Sequence, residues 1–481
     1  MYLRHRPAPA GSLVGVNFSF VVDRTFDAQR AAFAREPNPP AAVRRAHLAA
    51  VRALILDNVD AIADAINADF GHRSAHETRL LEIFPAAQEA KHARAHVARW
   101  MRTERRPPSF WFRPGRARVV KQPLGVVGII VPWNYPVYLA VGPLVSALAA
   151  GNRVMIKMSE LTPRTGDVFA QLIGARFAAD HVAVINGEVD VARAFSAKPF
   201  DHLLFTGSTA VGHEVMRAAA ANLTPVTLEL GGKSPTIVAP DFPIDVAAQR
   251  IMLGKCLNAG QTCIAPDYVL LPEAQLDAFI DAARREVARF YPAGAASEDY
   301  AAIINARHHA RLTGYIDDAR AQGATVTPLV GGDSVDARKM APAVVTGVTD
   351  AMRVMQDEIF GPLLPVLPYA SLDEALAYVA SHPRPLAMYY FDYDSSRVER
   401  VLATSMAGGV TVNDTIFHIA QESLPFGGVG PSGMGAYHGE EGFNTFSKRK
   451  GVFYQSRLNT RRFLTPPYGS RLAKLLKLIL R

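Results

Sequence analysis

Cysteine is nearly missing from this chain: 481 residues carry only Cys256 and Cys263, both in one short segment. Such a pair excludes a disulfide framework, and with it the small secreted scaffolds; a reducing compartment, the cytoplasm, is the expectation. Long apolar runs are missing too, since no stretch reaches the ~20 residues that span a bilayer. A basic start at Arg4, His5 and Arg6 is interrupted by Pro7, Pro9, Gly11, Asn17 and Ser19 before any signal core can form, so residues 1–22 read as a loose arm. Acidic residues are absent from positions 451–481, where Arg457, Arg461, Arg462, Arg471, Lys474, Lys477 and Arg481 supply +7 of the net +8. The body is therefore nearly neutral, and without a basic groove interleaved with aromatics it offers nucleic acid no track. The fourteen histidines lack metal-ligand spacing; His308, His309 and His438 read as surface or packing residues, and no metal site is expected.

Apolar residues make up 49% of the sequence, enough at this length for a sizeable core divided over two or three domains. Segments 41–69 and 74–101 are rich in helix formers, with Leu48, Val51, Leu54, Ile55, Val59, Ile62 and Ile66 at helical spacing, and predict two long helices. Beyond position 118, short apolar runs at 126–131, 154–157, 182–186 and 202–206 alternate with helical patterns at 137–150, 164–177, 189–197 and 210–221. Repeated strand and helix units imply an α/β fold with a parallel, doubly wound sheet. A second such series begins after Glu229, with a strand at 236–238, a helix at 244–257 and a strand at 268–271. The glycine-dense run from Gly427 to Gly435 marks close backbone packing or a return to the active site.

Chemistry concentrates in a few short motifs. Glu229-Leu230-Gly231-Gly232-Lys233, followed by Gly260-Gln261-Thr262-Cys263, reads as a base and a nucleophile. A thiol attacks only as thiolate, and with an ordinary pKa near ~8.5 it needs donors or a base at neutral pH. Gly207-Ser208-Thr209-Ala210-Val211-Gly212 follows a strand and opens a helix, where N–H groups are placed to receive a pyrophosphate, although the three-glycine dinucleotide fingerprint is absent. Lys157-Met158-Ser159-Glu160 ends an earlier strand with groups suited to an adenosine ribose; its Glu repels a 2′-phosphate and favours NAD. Asn258 is expected to cap a helix end, and Cys256 to be core.

Together with Pro132-Trp133-Asn134-Tyr135-Pro136 and Glu358-Ile359-Phe360-Gly361-Pro362, these motifs resemble the aldehyde dehydrogenase superfamily in order and spacing, over nearly all of residues 23–455. Leu223-Thr224-Pro225-Val226-Thr227 and Ser432-Gly433-Met434-Gly435-Ala436-Tyr437-His438-Gly439 are similar to its class 3 branch, and His418-Ile419-Ala420-Gln421-Glu422 to the bacterial coniferyl aldehyde dehydrogenases within it. The resemblance implies two doubly wound parallel-sheet domains with a bridging segment: 23–103 with 122–228 binding the cofactor, 229–412 catalytic, 104–121 with 413–455 bridging a homodimer, and 456–481 a tail. It implies that Cys263 attacks the aldehyde, that Asn134 and the Cys263 N–H hold the alkoxide, and that Glu229 activates the hydrolytic water, a role Glu358 could share. NAD, with NADP as a second possibility, is expected on Trp133, Lys157, Glu160, Gly207, Ser208, Gly212, Glu229, Glu358 and Phe360.

By the same resemblance Tyr135, Ile416, Phe417 and Phe426 line a tunnel for a hydrophobic aldehyde, with coniferaldehyde or a similar aromatic aldehyde preferred over a medium or long alkanal. A structural or binding protein that kept the fold without turnover is the alternative from another class, opposed by the intact Cys263, Asn134, Lys157, Glu229 and Glu358. In the tail, Leu472, Leu475, Leu476 and Ile479 fall on one helical face and Arg471, Lys474 and Arg481 on the other. That pattern suits peripheral contact with an anionic membrane, such as the inner membrane face, or cover for a partner subunit.

Overall fold

Side-chain alternation along short parallel strands decides the architecture. In the computed structural model, which describes residues 18–334, 337–459 and 465–480, the first sheet runs in the order Gly433–Met434, Val226–Glu229, His202–Thr206, Val126–Ile130, Arg153–Lys157, Val182–Ile185. Its last five strands are parallel and only Gly433–Met434 is antiparallel. Val127, Ile129, Val154, Ile156 and Leu204 point to one face and join the main core. Val126, Ile130, Met155, Leu203 and Phe205 point to the other, where helices cover them in a smaller core. Helix Tyr138–Ala150, apolar all round but for Ser146, is buried along its whole length.

The second sheet has seven strands in the order Thr325–Pro328, Ala343–Thr346, Leu363–Tyr369, Tyr268–Pro272, Pro235–Val238, Ala387–Phe391, Gly409–Val412, parallel except at Thr325–Pro328. A third, antiparallel sheet joins Glu104–Arg106, Arg116–Pro123 and Ser447–Tyr454. Segment 413–455, read as bridging throughout, is therefore divided: Gly433–Met434 completes the first sheet.

Three expectations need correction. The loose arm at 1–22 lies outside the described residues up to position 17, but from there helix Phe18–Arg35 begins. Val22 and Phe26, one turn apart, are buried in the smaller core, and the Gln29 amide donates to the carbonyls of Val154 (2.9 Å) and Ala179 (3.1 Å). The helix expected over 41–69 breaks at Asn58, whose amide turns back onto the Leu54 carbonyl at 2.8 Å and separates Ala41–Asp57 from Val59–Phe70. The helix expected over 74–101 contains a π-helical stretch, Arg79–Ile83, between Ala75–Thr78 and Phe84–Trp100. Glu82 in that stretch is fully buried, where it pairs with Arg73 and caps the distant helix Tyr138–Ala150.

Candidate active site

Strand 126–130 and strand 202–206 are neighbours, yet the chain leaves them in opposite directions across the sheet. Such a switch point opens a crevice at the carboxyl ends of the strands. Here it forms a cavity of about 420 Å³ lined by Trp133 and Asn134 after one strand, Gly207 and Ser208 after another, and Glu229 at the end of a third. Cys263, His308, Arg311, Tyr315, Asp357, Glu358 and Phe360 close it from the side of the second sheet.

Cys263 is half-buried at the end of a loop whose backbone is forced. Asn258 and Ala259 both have left-handed φ of 51°, and Gly260 (φ +74°) lies so close to the Gly361 carbonyl that a Cβ could not be accommodated. Asn258 does not act as the expected cap. Fully buried, it donates its amide to the carbonyls of Asn134 (3.0 Å) and Gln261 (3.2 Å), and its own N–H bonds to Glu77. Gln261 clamps the loop from within, bonding the carbonyls of Asn258 (2.9 Å) and Ala302 (3.0 Å) and the N–H of Ile304 (2.9 Å). The Asn134 amide reaches the Gln261 carbonyl at 3.2 Å. Beside it the Tyr135 hydroxyl meets Thr262 Oγ1 at 2.7 Å.

Beneath both loops lies a buried ionic cluster. Arg73 pairs with Glu82 at 2.8 Å, lies 3.9 Å from Glu77, donates to the Asn134 carbonyl at 3.1 Å, and stacks on the Tyr135 ring. Glu82 accepts from the N–H groups of Val137 (2.7 Å) and Tyr138 (3.1 Å), the favoured place for a carboxylate at a helix N-terminus. One guanidinium thus ties the Asn134 loop to the Cys263 loop. Arg73, Glu77 and Glu82 were not singled out from sequence; polar residues within or beside helical patterns read as solvated until burial is known.

The two carboxyls differ in their support. Glu229 is buried and neither of its oxygens has a hydrogen-bond partner among the described residues, so burial holds its pKa well above the ordinary range. Glu358 is pushed up to about 8, first by burial and then by Asp267, against a hydrogen bond from the Gly232 N–H. It sits directly on Gly231, where any side chain would displace it. Its loop is fixed from behind: Lys233 pairs with Asp267 at 2.5 Å and donates to the carbonyls of Val354 (2.8 Å) and Asp357 (3.1 Å), while Asp267 accepts from the Ile359 N–H at 2.9 Å. Burial, followed by Glu358 and Glu229, also raises the Cys263 thiol, with its own and the Ile264 N–H opposing.

The remaining expected residues divide into two groups. Trp133 and Phe360 meet edge to face at 5.3 Å, and His308, expected at the surface or in packing, does pack against Trp133 at 5.3 Å but also lines the cavity. Ser208 caps helix Thr209–Ala220 by accepting from the Val211 N–H, while Gly212 lies under Leu230 outside the cavity lining. Lys157 and Glu160 stand at the end of the adjoining strand, also outside the lining. Lys157 is buried, its ammonium on the Met158 carbonyl at 2.7 Å; burial lowers its pKa against the pull of Glu160. Ile416 and Phe417 line a second cavity of about 300 Å³ with Leu80, Leu81, Phe84, Glu89, Tyr138 and His438. Tyr135 and Phe426 are buried near the two cavities without lining either in this arrangement. Among the described residues there is no cluster of His, Cys, Asp and Glu that could hold a metal ion.

The first cavity suits a dinucleotide. A helix N-terminus and Arg311 suit its phosphates, the lining carboxyls can accept from ribose hydroxyls, and buried Glu358 Oε1 and His308 Nδ1 have no partner among the described residues. A doubly wound sheet with such a crevice is the setting in which dinucleotide-dependent oxidoreductases hold their cofactor. The chain belongs to the aldehyde dehydrogenase family, whose model matches residues 20–452. It is 54% identical over 454 residues, 94% of this chain and 95% of the other, to the probable coniferyl aldehyde dehydrogenase of Pseudomonas aeruginosa. Among solved structures it is similar to Staphylococcus aureus AldH in a substrate-bound state, with a TM-score of 0.90 and 38% identity, over 96% of this chain and 99% of that one. A Mycobacterium tuberculosis aldehyde dehydrogenase complexed with NAD+ gives a TM-score of 0.82 at 29% identity, over 90% of each chain.

Proposed function

We propose that this NAD(P)-dependent aldehyde dehydrogenase oxidises a hydrophobic aryl aldehyde, of which coniferaldehyde is the preferred candidate, through a covalent adduct on Cys263. The observation that carries the mechanism is the convergence of Cys263, Asn134, Glu229 and Glu358 on one cavity. The Cys263 thiol gives its proton to solvent and its sulfur adds to the carbonyl carbon, and the carbonyl electron pair moves to oxygen, where the Asn134 amide and the Cys263 N–H donate to it. Trp133, Gly207, Ser208, Glu358 and Phe360 would hold the dinucleotide, with Lys157 and Glu160 toward its ribose and Gly212 packing the helix behind it. When bound, it supplies the hydride acceptor that turns the adduct into a thioester. Glu229 then takes a proton from water as the water oxygen bonds to the thioester carbon; the C–S bond breaks, the acid leaves and the thiol regains its proton.

Glu229 is favoured over Glu358 as base because nothing ties its oxygens down, whereas the Gly232 N–H and the Lys233–Asp267 brace hold Glu358 in place. A carboxyl with a raised pKa is neutral at low pH and gains base character as pH rises. Turnover limited by deacylation is therefore expected to climb with pH, and Glu229→Gln to lose that limb while keeping a first-turnover burst of reduced cofactor. A Glu358→Gln enzyme that lost the limb instead would reverse the assignment.

The aryl substrate rests on the name of the Pseudomonas relative and on the aromatic, apolar second cavity. A second reading, a medium- or long-chain alkanal taken at a membrane surface, is favoured by one feature. Helix Ser470–Ile479 buries none of its residues and exposes Leu475, Leu476, Leu478 and Ile479. Arg481, assigned to its basic face, lies outside the described residues, and no described helix is long and apolar enough to cross a membrane. Cytoplasmic location, a homodimer through the third sheet, and the domain limits 23–103 with 122–228 and 229–412 belong to this same proposal. The deciding assay is formation of reduced cofactor at 340 nm with coniferaldehyde and with decanal, under NAD and NADP. Higher kcat/KM for coniferaldehyde is expected; a preference for decanal overturns the aryl reading and selects the membrane one.

A further inference from the structure

The second cavity is walled mostly by leucine, isoleucine and phenylalanine, yet Glu89 projects from helix Phe84–Trp100 into that wall. Glu89 is only 2% exposed, and neither of its carboxyl oxygens has a hydrogen-bond partner among the described residues. An acid left so is costly unless something arrives to satisfy it. Around it stand Tyr138, Glu422 and His438, the last with a buried Nε2 that also lacks a partner among the described residues. His438 stacks on Phe426 at 5.4 Å, and burial, then His418, holds its pKa down at about 3, so the ring is neutral. Burial, then Glu422, pushes Glu89 up to about 8, so at neutral pH it is mostly the protonated acid, with one donor and one acceptor.

The second cavity and the candidate nucleophile share a buried neighbour, Tyr437. After burial itself, the Tyr437 phenol feels Glu229, Tyr138, Glu89 and Cys263, so groups of both cavities act on it. At Gly142 the Glu89 carboxyl and the Tyr437 ring come together, each in reach of where a Cβ would stand. An elongated substrate with its carbonyl at Cys263 would therefore extend its far end toward Glu89.

We propose that Glu89 is a specificity-determining residue whose carboxyl group exchanges hydrogen bonds with an oxygen substituent at the far end of an aryl aldehyde. This rests on the aryl-aldehyde reading above and gives it a chemical form: the preferred substrate carries a ring hydroxyl, with or without a neighbouring ether. The carbonyl of the acid accepts from the phenol, and its hydroxyl donates back to the phenol or ether oxygen. A hydrocarbon chain or an unsubstituted ring leaves both groups unpaired, which apolar contact alone cannot offset.

The test compares kcat/KM for coniferaldehyde with that for cinnamaldehyde, the same skeleton without ring oxygens, in the full-length wild type, Glu89→Leu and Glu89→Gln. Expected is a coniferaldehyde-to-cinnamaldehyde ratio that falls about tenfold or more in Glu89→Leu and is largely kept in Glu89→Gln, whose amide retains a donor and an acceptor. An equal loss on both aldehydes, or an unaltered ratio in Glu89→Leu, overturns the role of Glu89 while leaving the aryl reading intact. Should Glu89→Leu fail to fold, a ratio in Glu89→Gln within twofold of wild type, beside a tenfold fall in Glu89→Ala, supports the role; equal ratios in all three overturn it. Wild-type enzyme that turns over decanal but neither aryl aldehyde overturns both.

Discussion

The two cavities are built from different materials. Strand ends and the loops leaving them make the first, where backbone positions Asn134, Glu229 and Cys263 and a hidden set of ion pairs fixes those loops. Helix faces and a C-terminal loop make the second, where Leu80, Phe84, Ile416 and Phe417 could be exchanged for other apolar residues at modest cost. On the proposed reading, chemistry is anchored to the sheet and selectivity to side chains around it. Mutations in the first cavity should change rate for every aldehyde alike, and those in the second should change the ranking of aldehydes.

Cys263→Ser is the strongest way to break the contrast: kcat should fall by about four orders of magnitude for aryl and alkyl aldehydes together, read as initial formation of reduced cofactor. Arg73→Met attacks what the cavities share, because the helical segment carrying Glu77, Leu80 and Glu82 is tied through Arg73 to the Asn134 loop. Leaving two buried acids uncompensated should cost about 3–5 kcal/mol in denaturant unfolding. Asn134→Ala should lower kcat by about 10²–10³, about 3 kcal/mol, with little difference between substrates; a loss confined to one aldehyde would move Asn134 from the alkoxide to the substrate's body. Glu89→Gln sharpens the comparison most finely. The folded protein keeps a proton on Glu89 up to about pH 8, whereas an unfolded chain releases it near ~4.3, so this carboxyl takes stability away as pH rises between those limits. The Gln variant should gain on wild type by up to about 1 kcal/mol per pH unit across that window, measured by urea unfolding at pH 5, 6 and 7.

Much of this was legible in the sequence because motifs at strand ends have narrow physical tolerances. A glycine beneath Glu358, a left-handed turn at Gly260 and a capped helix at Ser208 are each required by one backbone path, and their spacing announces it. The strands from 126 to 206 are visible for a similar reason: fully buried strands leave continuous apolar runs. What stayed hidden depends on long-range packing. Glu77 and Glu82 have the sequence pattern of an exposed helix and Arg73 that of a polar loop, and only the fold reveals them as an internal brace. Asn258 has the right identity for a cap, but its amide is used across the loop. Val22 and Phe26 were obscured by the prolines and glycine before them, although their one-turn spacing marks the helix that covers the first sheet.

The antiparallel pairing of Gly433 with Glu229 has a consequence for how the chain comes into being. The sheet that carries the proposed base is finished by residues translated long after it: Met434 pairs with Leu228, and the Leu230 N–H bonds to the Ser432 carbonyl at 3.1 Å. A nascent chain still held short of Ser432 by the ribosome presents an open edge beside Glu229, a surface that recruits chaperones or neighbouring chains. Emergence of Ser432 and Gly433, rather than synthesis of Cys263, closes the sheet edge beside the proposed base.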